Sequence, residues 1–142
     1  MKIPIQFYYQ TDFVLPNEEE QKRKLWLCVE GEQLEVDQLQ YIFMSDEQLY
    51  AMNVEYLGHD FYTDIITFPL HEEQAPLLAD MYLSIDRIKD NAKELHIDWR
   101  TELDRVMLHG ILHLAGYDDK TEEAQKEMRS KENNYLQQDP KL

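Results

Sequence analysis

The chain has 142 residues, 43% of them hydrophobic, which fits one domain (residues 1–142) with a packed core. No apolar run approaches the roughly 18 residues that span a bilayer, and Met1-Lys2-Ile3-Pro4-Ile5-Gln6 lacks the apolar stretch of a secretory leader, so neither a membrane partner nor export is expected. The net charge of −15 excludes a generally polyanion-binding surface: its field repels phosphates, so any nucleic-acid contact must rest on a local patch or a bound metal.

Ile3 to Tyr9 alternates apolar and polar residues as a half-buried strand does, with Pro4 at its start or at a sheet edge. Asn17 caps a helix whose first turn is acidic and whose inner face carries Leu25, Cys28 and Val29, and Gly31 is expected to end it. The basic run Lys22-Arg23-Lys24 follows Glu18-Glu19-Glu20 on this helix and reads as charge arranged along the helix dipole. Cys28 is the single cysteine and reads as a buried thiol in a reducing compartment, so the cytoplasm is the expected location.

Leu39 to Met44 reads as a buried strand. Ser45 and Gln48 then form a capping box for a helix with Leu49, Met52 and Tyr56 on one side. Ile65 to Phe68, closed by Pro69, and Met81 to Leu83 are two further strands. Ser84 caps a helix carrying Ile88, Ala92 and Leu95. Asp98 caps the next, which runs to about Ala115 and stops at Gly116, and a polar helix from Thr121 to about Leu136 follows. This order predicts an α+β fold: a four-stranded mixed sheet packed against about five helices.

The chemistry concentrates in His109-Gly110-Ile111-Leu112-His113-Leu114-Ala115-Gly116-Tyr117-Asp118-Asp119. Leu103, Met107, Ile111 and Leu114 form one apolar stripe, with Leu108, Leu112 and Ala115 beside it, so this helix is a buried central element. His109 and His113 share the remaining sector one turn apart, a spacing that lets two imidazoles reach one ion. Gly116 can turn the chain back and bring Asp119 over the pair, giving two imidazoles, one carboxylate and an open position, the donor pattern of a catalytic site. Asp119 has a rival role. With Glu122 it fits a capping box for the last helix, and Asp118 or Thr121 are further cap candidates. Glu102, in line with the histidines, is either a proton acceptor or partner of a ligand, or a solvent-facing glutamate of the first turn.

The spacing has the outline of the metzincin proteases, with Gly110 where those enzymes carry the glutamate that activates water. His109 to Asp118 resembles more closely the YbeY family of rRNA maturation endoribonucleases, whose signature reads His-Gly-x-Leu-His-Leu-x-Gly-Tyr-Asp-His. Ser45-Asp46-Glu47, Asn53 and Tyr56 are similar to a helix of that family. Thr63-Asp64-Ile65-Ile66-Thr67-Phe68-Pro69 and Asp80-Met81-Tyr82-Leu83-Ser84 are similar to two of its strand segments.

The resemblance implies a zinc ion held by His109, His113 and Asp119, and metal-dependent cleavage of single-stranded ribosomal RNA during small-subunit 3′-end maturation and quality control. Glu102 or Asp118 would take a proton. Single-stranded ribosomal RNA and ribosomal proteins are the expected partners, and DNA is not. Two positions depart from the family. Its last histidine is Asp119, which lowers the charge of the site and also admits ferrous iron or another divalent metal. Its arginine thought to face RNA aligns with Leu57, leaving His59 as a weaker candidate cation for substrate. Two other functions fit the same residues: a metal-dependent hydrolase that does not cut RNA, and a ribosome-assembly or protein-binding factor with a structural metal.

Overall fold

The computed structural model describes residues 2–138, so the two ends of the expected domain, residue 1 and residues 139–142, lie outside it. In chain order the elements are β1 (Ile5–Tyr9), α1 (Glu18–Gly31), β2 (Val36–Met44), α2 (Asp46–Leu57), β3 (Ile65–Pro69), β4 (Leu77–Ser84), α3 (Ile85–Leu95), α4 (Trp99–Leu114) and α5 (Glu122–Leu136). This is the expected α+β fold, with the elements in the expected order.

The four strands form one sheet in the order β1-β2-β4-β3. β1 runs parallel to β2 with Ile5 beside Leu39, and β2 runs parallel to β4 with Leu39 beside Ala79. β3 closes the edge antiparallel to β4, pairing Ile65 with Leu83. A parallel pair needs a crossover, and α1 supplies the one between β1 and β2.

Strand periodicity sorts the sheet into two faces. Leu77, Ala79, Met81 and Leu83 of β4 join Leu39, Tyr41 and Phe43 of β2 in a buried layer. Onto it pack Leu25 and Cys28 of α1, Ile88 of α3, and Leu103, Met107 and Ile111 of α4. The opposite face is thinner: Met44, Leu49 and Ile66 cluster with Met52, Phe68 and Tyr82 beneath α2. α4 is therefore the central element the sequence predicts, and its backbone is pinned by Tyr41, whose hydroxyl donates to the Met107 carbonyl at 2.9 Å. Burial pushes the Cys28 thiol up to about 12, so it is a core thiol and not a nucleophile. Among the described residues no helix is long and apolar enough to cross a membrane.

Several local expectations need correction. Gly31 does not end α1 by a left-handed turn. It is the last helical residue, and the positive φ of 57° falls at Gln33. What excludes a side chain at Gly31 is the Tyr135 ring of α5: an added Cβ would lie 2.7 Å from its Cε1. Tyr56 is 63% exposed, and the inner face of α2 carries Leu49 and Asn53 instead. Asn53 belongs inside because its side chain donates to the Phe61 carbonyl at 2.9 Å and fixes the loop after α2. Leu95 points outward at 55% exposure. β2 and β4 are also longer than their apolar cores, since backbone pairing continues through Gln38 and Gln40 of β2, beside Leu78 and Asp80 of β4, with an irregularity in the register at Asp37.

Candidate active site

α4 begins at Asp98, whose carboxylate accepts from the Arg100 amide at 2.8 Å. It ends in a Schellman turn, with Tyr117 N–H bonded to Leu112 O and Gly116 N–H to His113 O, both at 3.1 Å. Gly116 takes φ of 109°, the left-handed conformation its position requires. The chain then doubles back into α5, whose cap is Thr121, accepting from the Ala124 amide at 3.0 Å. Neither Asp118 nor Asp119 is the helix cap. The Asp118 carboxylate accepts from the Lys120 amide and serves the turn, while the exposed Asp119 side chain is left to other work.

Between α4, α5 and the start of β3 lies an open cavity of about 980 Å³. Its walls bring together Asp64, Glu102, His109, Asp119 and Glu132. His113, one turn beyond His109, is exposed and lies outside the cavity lining, as does Asp118. His59 is not part of the lining: it sits in the loop after α2, stacked on Phe61 with ring centroids 5.1 Å apart.

His109 is held on one side by a residue that sequence reasoning missed. Its Nδ1 faces Glu132 Oε2 at 2.8 Å, and Glu132 also accepts from Arg105 Nη1 at 3.0 Å. Facing a carboxylate, Nδ1 carries the proton, which directs the Nε2 lone pair of the neutral ring away from Glu132. The Glu132 hydrogen bond raises the His109 pKa more than burial lowers it, and the charges of Asp119 and Asp64 add to the rise. Burial alone would push the Glu132 carboxyl up, but the bonds from His109 and Arg105 outweigh it and hold the group below its ordinary value. The missed signal was spacing: Met128, Glu132 and Tyr135 share the inner stripe of α5, and a glutamate between two core residues on a buried face needs a partner.

Glu102 is not the solvent-facing residue that its place in the first turn allowed. It is 6% exposed, and its Oε1 is buried without a hydrogen-bond partner among the described residues. Burial raises its pKa, and the charge of Asp64 raises it further. Asp64 is likewise raised, mainly by burial. The cavity thus holds two carboxyl groups biased toward their protonated forms beside one imidazole with an oriented lone pair, an arrangement suited to moving protons.

Two imidazoles and a carboxylate suit a borderline divalent ion; His109 and Asp119 share the cavity, and His113 follows one turn along α4. Among the described residues, no three such side chains stand close enough as placed to hold one. His109 is the member fixed by a partner. His113 and Asp119 are exposed, so packing does not lock either in its rotamer.

The family model for Endoribonuclease YbeY matches residues 9–139. The chain is 42% identical over 134 residues to Endoribonuclease YbeY of Cytophaga hutchinsonii, covering 93% of this chain and 94% of that one. It is 41% identical over 128 residues to the enzyme of the same name from Christiangramia forsetii, covering 90% and 89%. A solution structure of a Thermotoga maritima protein superposes with a TM-score of 0.67 at 32% identity, covering 93% of this chain and 86% of that one.

Proposed function

The chain belongs to the YbeY family and is an endoribonuclease, a hydrolase acting on RNA, and from that premise we propose that it cuts single-stranded ribosomal RNA with a divalent metal held by His109, His113 and Asp119. Its place in this reading is small-subunit 3′-end maturation and quality control in the cytoplasm. Zinc is the first candidate, with ferrous iron next because of the carboxylate at Asp119.

The observation that carries the metal reading is the Glu132–His109 pair, a buried carboxylate on Nδ1 that leaves Nε2 as a donor, the usual support of a histidine that ligates a metal. When bound, the ion supplies Lewis acidity at the scissile phosphate and lowers the pKa of its water. The protein's own groups do the rest. Glu132 holds the His109 ring in one tautomer, and Arg105 keeps Glu132 charged. Glu102 handles the proton, a role supported by its buried, unpartnered Oε1 and raised pKa. Asp118 is the weaker candidate, since its carboxylate already holds the turn. The net charge of −15 favours basic ribosomal proteins as additional partners.

The test is bound metal by mass spectrometry on protein purified without a histidine tag, together with cleavage of a single-stranded RNA by the same samples. Stoichiometric metal in the native protein, lost together with cleavage in His113→Ala and Asp119→Ala, is the expected result. Cleavage that survives in both variants without metal would overturn the three-ligand reading.

A further inference from the structure

An enzyme that cuts RNA must hold a polyanion, and this chain carries a net charge of −15. About half of the 14 cations that offset it are committed among the described residues. Lys22 pairs with Glu19, Lys24 with Glu20 and Asp104, Arg87 with Asp46, Arg100 with Asp98, and Lys131 with Glu32. Lys89 lies over the Trp99 and Phe13 rings. His59 is stacked on Phe61 and is not part of the cavity lining.

The cavity wall places cations beside the reacting groups. Arg105, Lys126 and Arg129 all line it. Arg105 is spent on Glu132 at 3.0 Å and on Asn133 Oδ1 at 2.8 Å. Lys126 and Arg129 have no ion pair or hydrogen bond from their side chains among the described residues. They stand three apart on α5, so they share one face, and that face is turned to the cavity that holds His109 and Asp119. Arg129 is close enough to Glu102 for its charge to pull that carboxyl back down. Two long, exposed, uncommitted cations beside the reacting groups can reach neighbouring phosphates of one strand, while the acidic surface elsewhere discourages binding outside the cavity.

We propose that Lys126 and Arg129 hold the phosphates flanking the scissile one, making the exposed face of α5 that borders the cavity the RNA-binding wall of the site. The inference rests on the ribonuclease reading above and adds its substrate contacts. Both side chains act on binding, so their loss raises KM.

The experiment measures binding of a short fluorescent oligouridylate by anisotropy, in monovalent salt from about 50 to 200 mM. Each phosphate contact contributes about 0.7 to the slope of log affinity against log salt for a single strand. Lys126→Ala with Arg129→Ala should flatten the slope by about 1.4, so the native protein loses about sevenfold more affinity than the double variant across that range. Lys93→Ala, which removes one exposed charge on α3 away from the cavity, should leave the slope native. Because both residues are exposed, the double variant should unfold at the native temperature, and its circular dichroism is the check. A native slope in the double variant, with native binding intact, overturns this proposal and leaves the ribonuclease reading standing. Failure of the native protein to bind RNA at any salt concentration overturns both.

Discussion

Gly31→Ala separates two ways of reasoning about one residue. By helix propensity, exchanging a helical glycine for alanine stabilises by at most about 1 kcal/mol. The structure predicts the opposite sign. A Cβ at position 31 would meet the Tyr135 ring at 2.7 Å from Cε1 and 2.9 Å from Cζ, closer still to its hydroxyl, so the ring must retreat by several tenths of an ångström. That ring is 6% exposed, and its hydroxyl donates to Glu32, one residue along. Losing a hydrogen bond to a charged acceptor costs about 1.5–3 kcal/mol. Set against the helix gain, the net effect is a loss of about 0.5–2 kcal/mol, or several degrees in Tm for a chain of this size. Urea unfolding with an unchanged m-value measures it. In a Tyr135→Phe background the hydroxyl and its bond are already gone, so the cost of Gly31→Ala should shrink. A Gly31→Ala protein as stable as the native one would refute the contact.

Glu102→Gln should raise stability at neutral pH and lower RNA cleavage. The folded protein holds the Glu102 pKa above its ordinary 4.5, so charging the group penalises the folded state increasingly as pH rises past 4.5, and a neutral amide escapes that penalty. Equal urea midpoints at pH 7 would count against it. Glu32 titrates in the other direction: burial raises its pKa, but bonds from Tyr135, Tyr117 and Lys131 outweigh this and hold it below 4.5. Its contribution is therefore full above pH 4.5 and lost as pH falls through the lowered value, so native and Glu32→Gln proteins should converge in acid and diverge above it. Tyr41→Phe removes the bond to the Met107 carbonyl and should cost about 1 kcal/mol in urea unfolding without changing cleavage.

Most of the fold was legible because the capping signals at Asn17, Ser45, Ser84, Asp98 and Gly116 agree with the apolar periods beside them. The misreadings have one cause, contacts between elements distant in sequence. Gly31 looks like a helix stop until α5 lays Tyr135 over it, and Tyr56 looks buried until Asn53 proves to be tied to Phe61. The site follows the same pattern. Its local part, two histidines and a glycine turn, was readable from spacing. Glu132 and Asp64 were not, because 23 residues separate Glu132 from His109 and only the packing of α5 and β3 on α4 brings them together.

Gly110 shows why the chemistry here differs from that of the proteases sharing its outline. Those enzymes carry their water-activating glutamate at the position next to the first histidine. Here an added Cβ at Gly110 would meet Met81 Sδ at 2.7 Å and Ile65 Cδ1 at 3.1 Å, and Met81 is fully buried. α4 is thus rolled with this residue against β3 and β4. A glutamate there would be driven against Met81 and Ile65, where a charged side chain has neither room nor a partner. Proton transfer must come from a carboxyl on the cavity side, and Glu102, seven residues earlier and two turns along the same face as His109, has that position. Gly110→Glu should therefore unfold the protein and not create a protease, and Glu102→Asp, which keeps the carboxyl but shortens its reach, should cut RNA more slowly than native while folding as well.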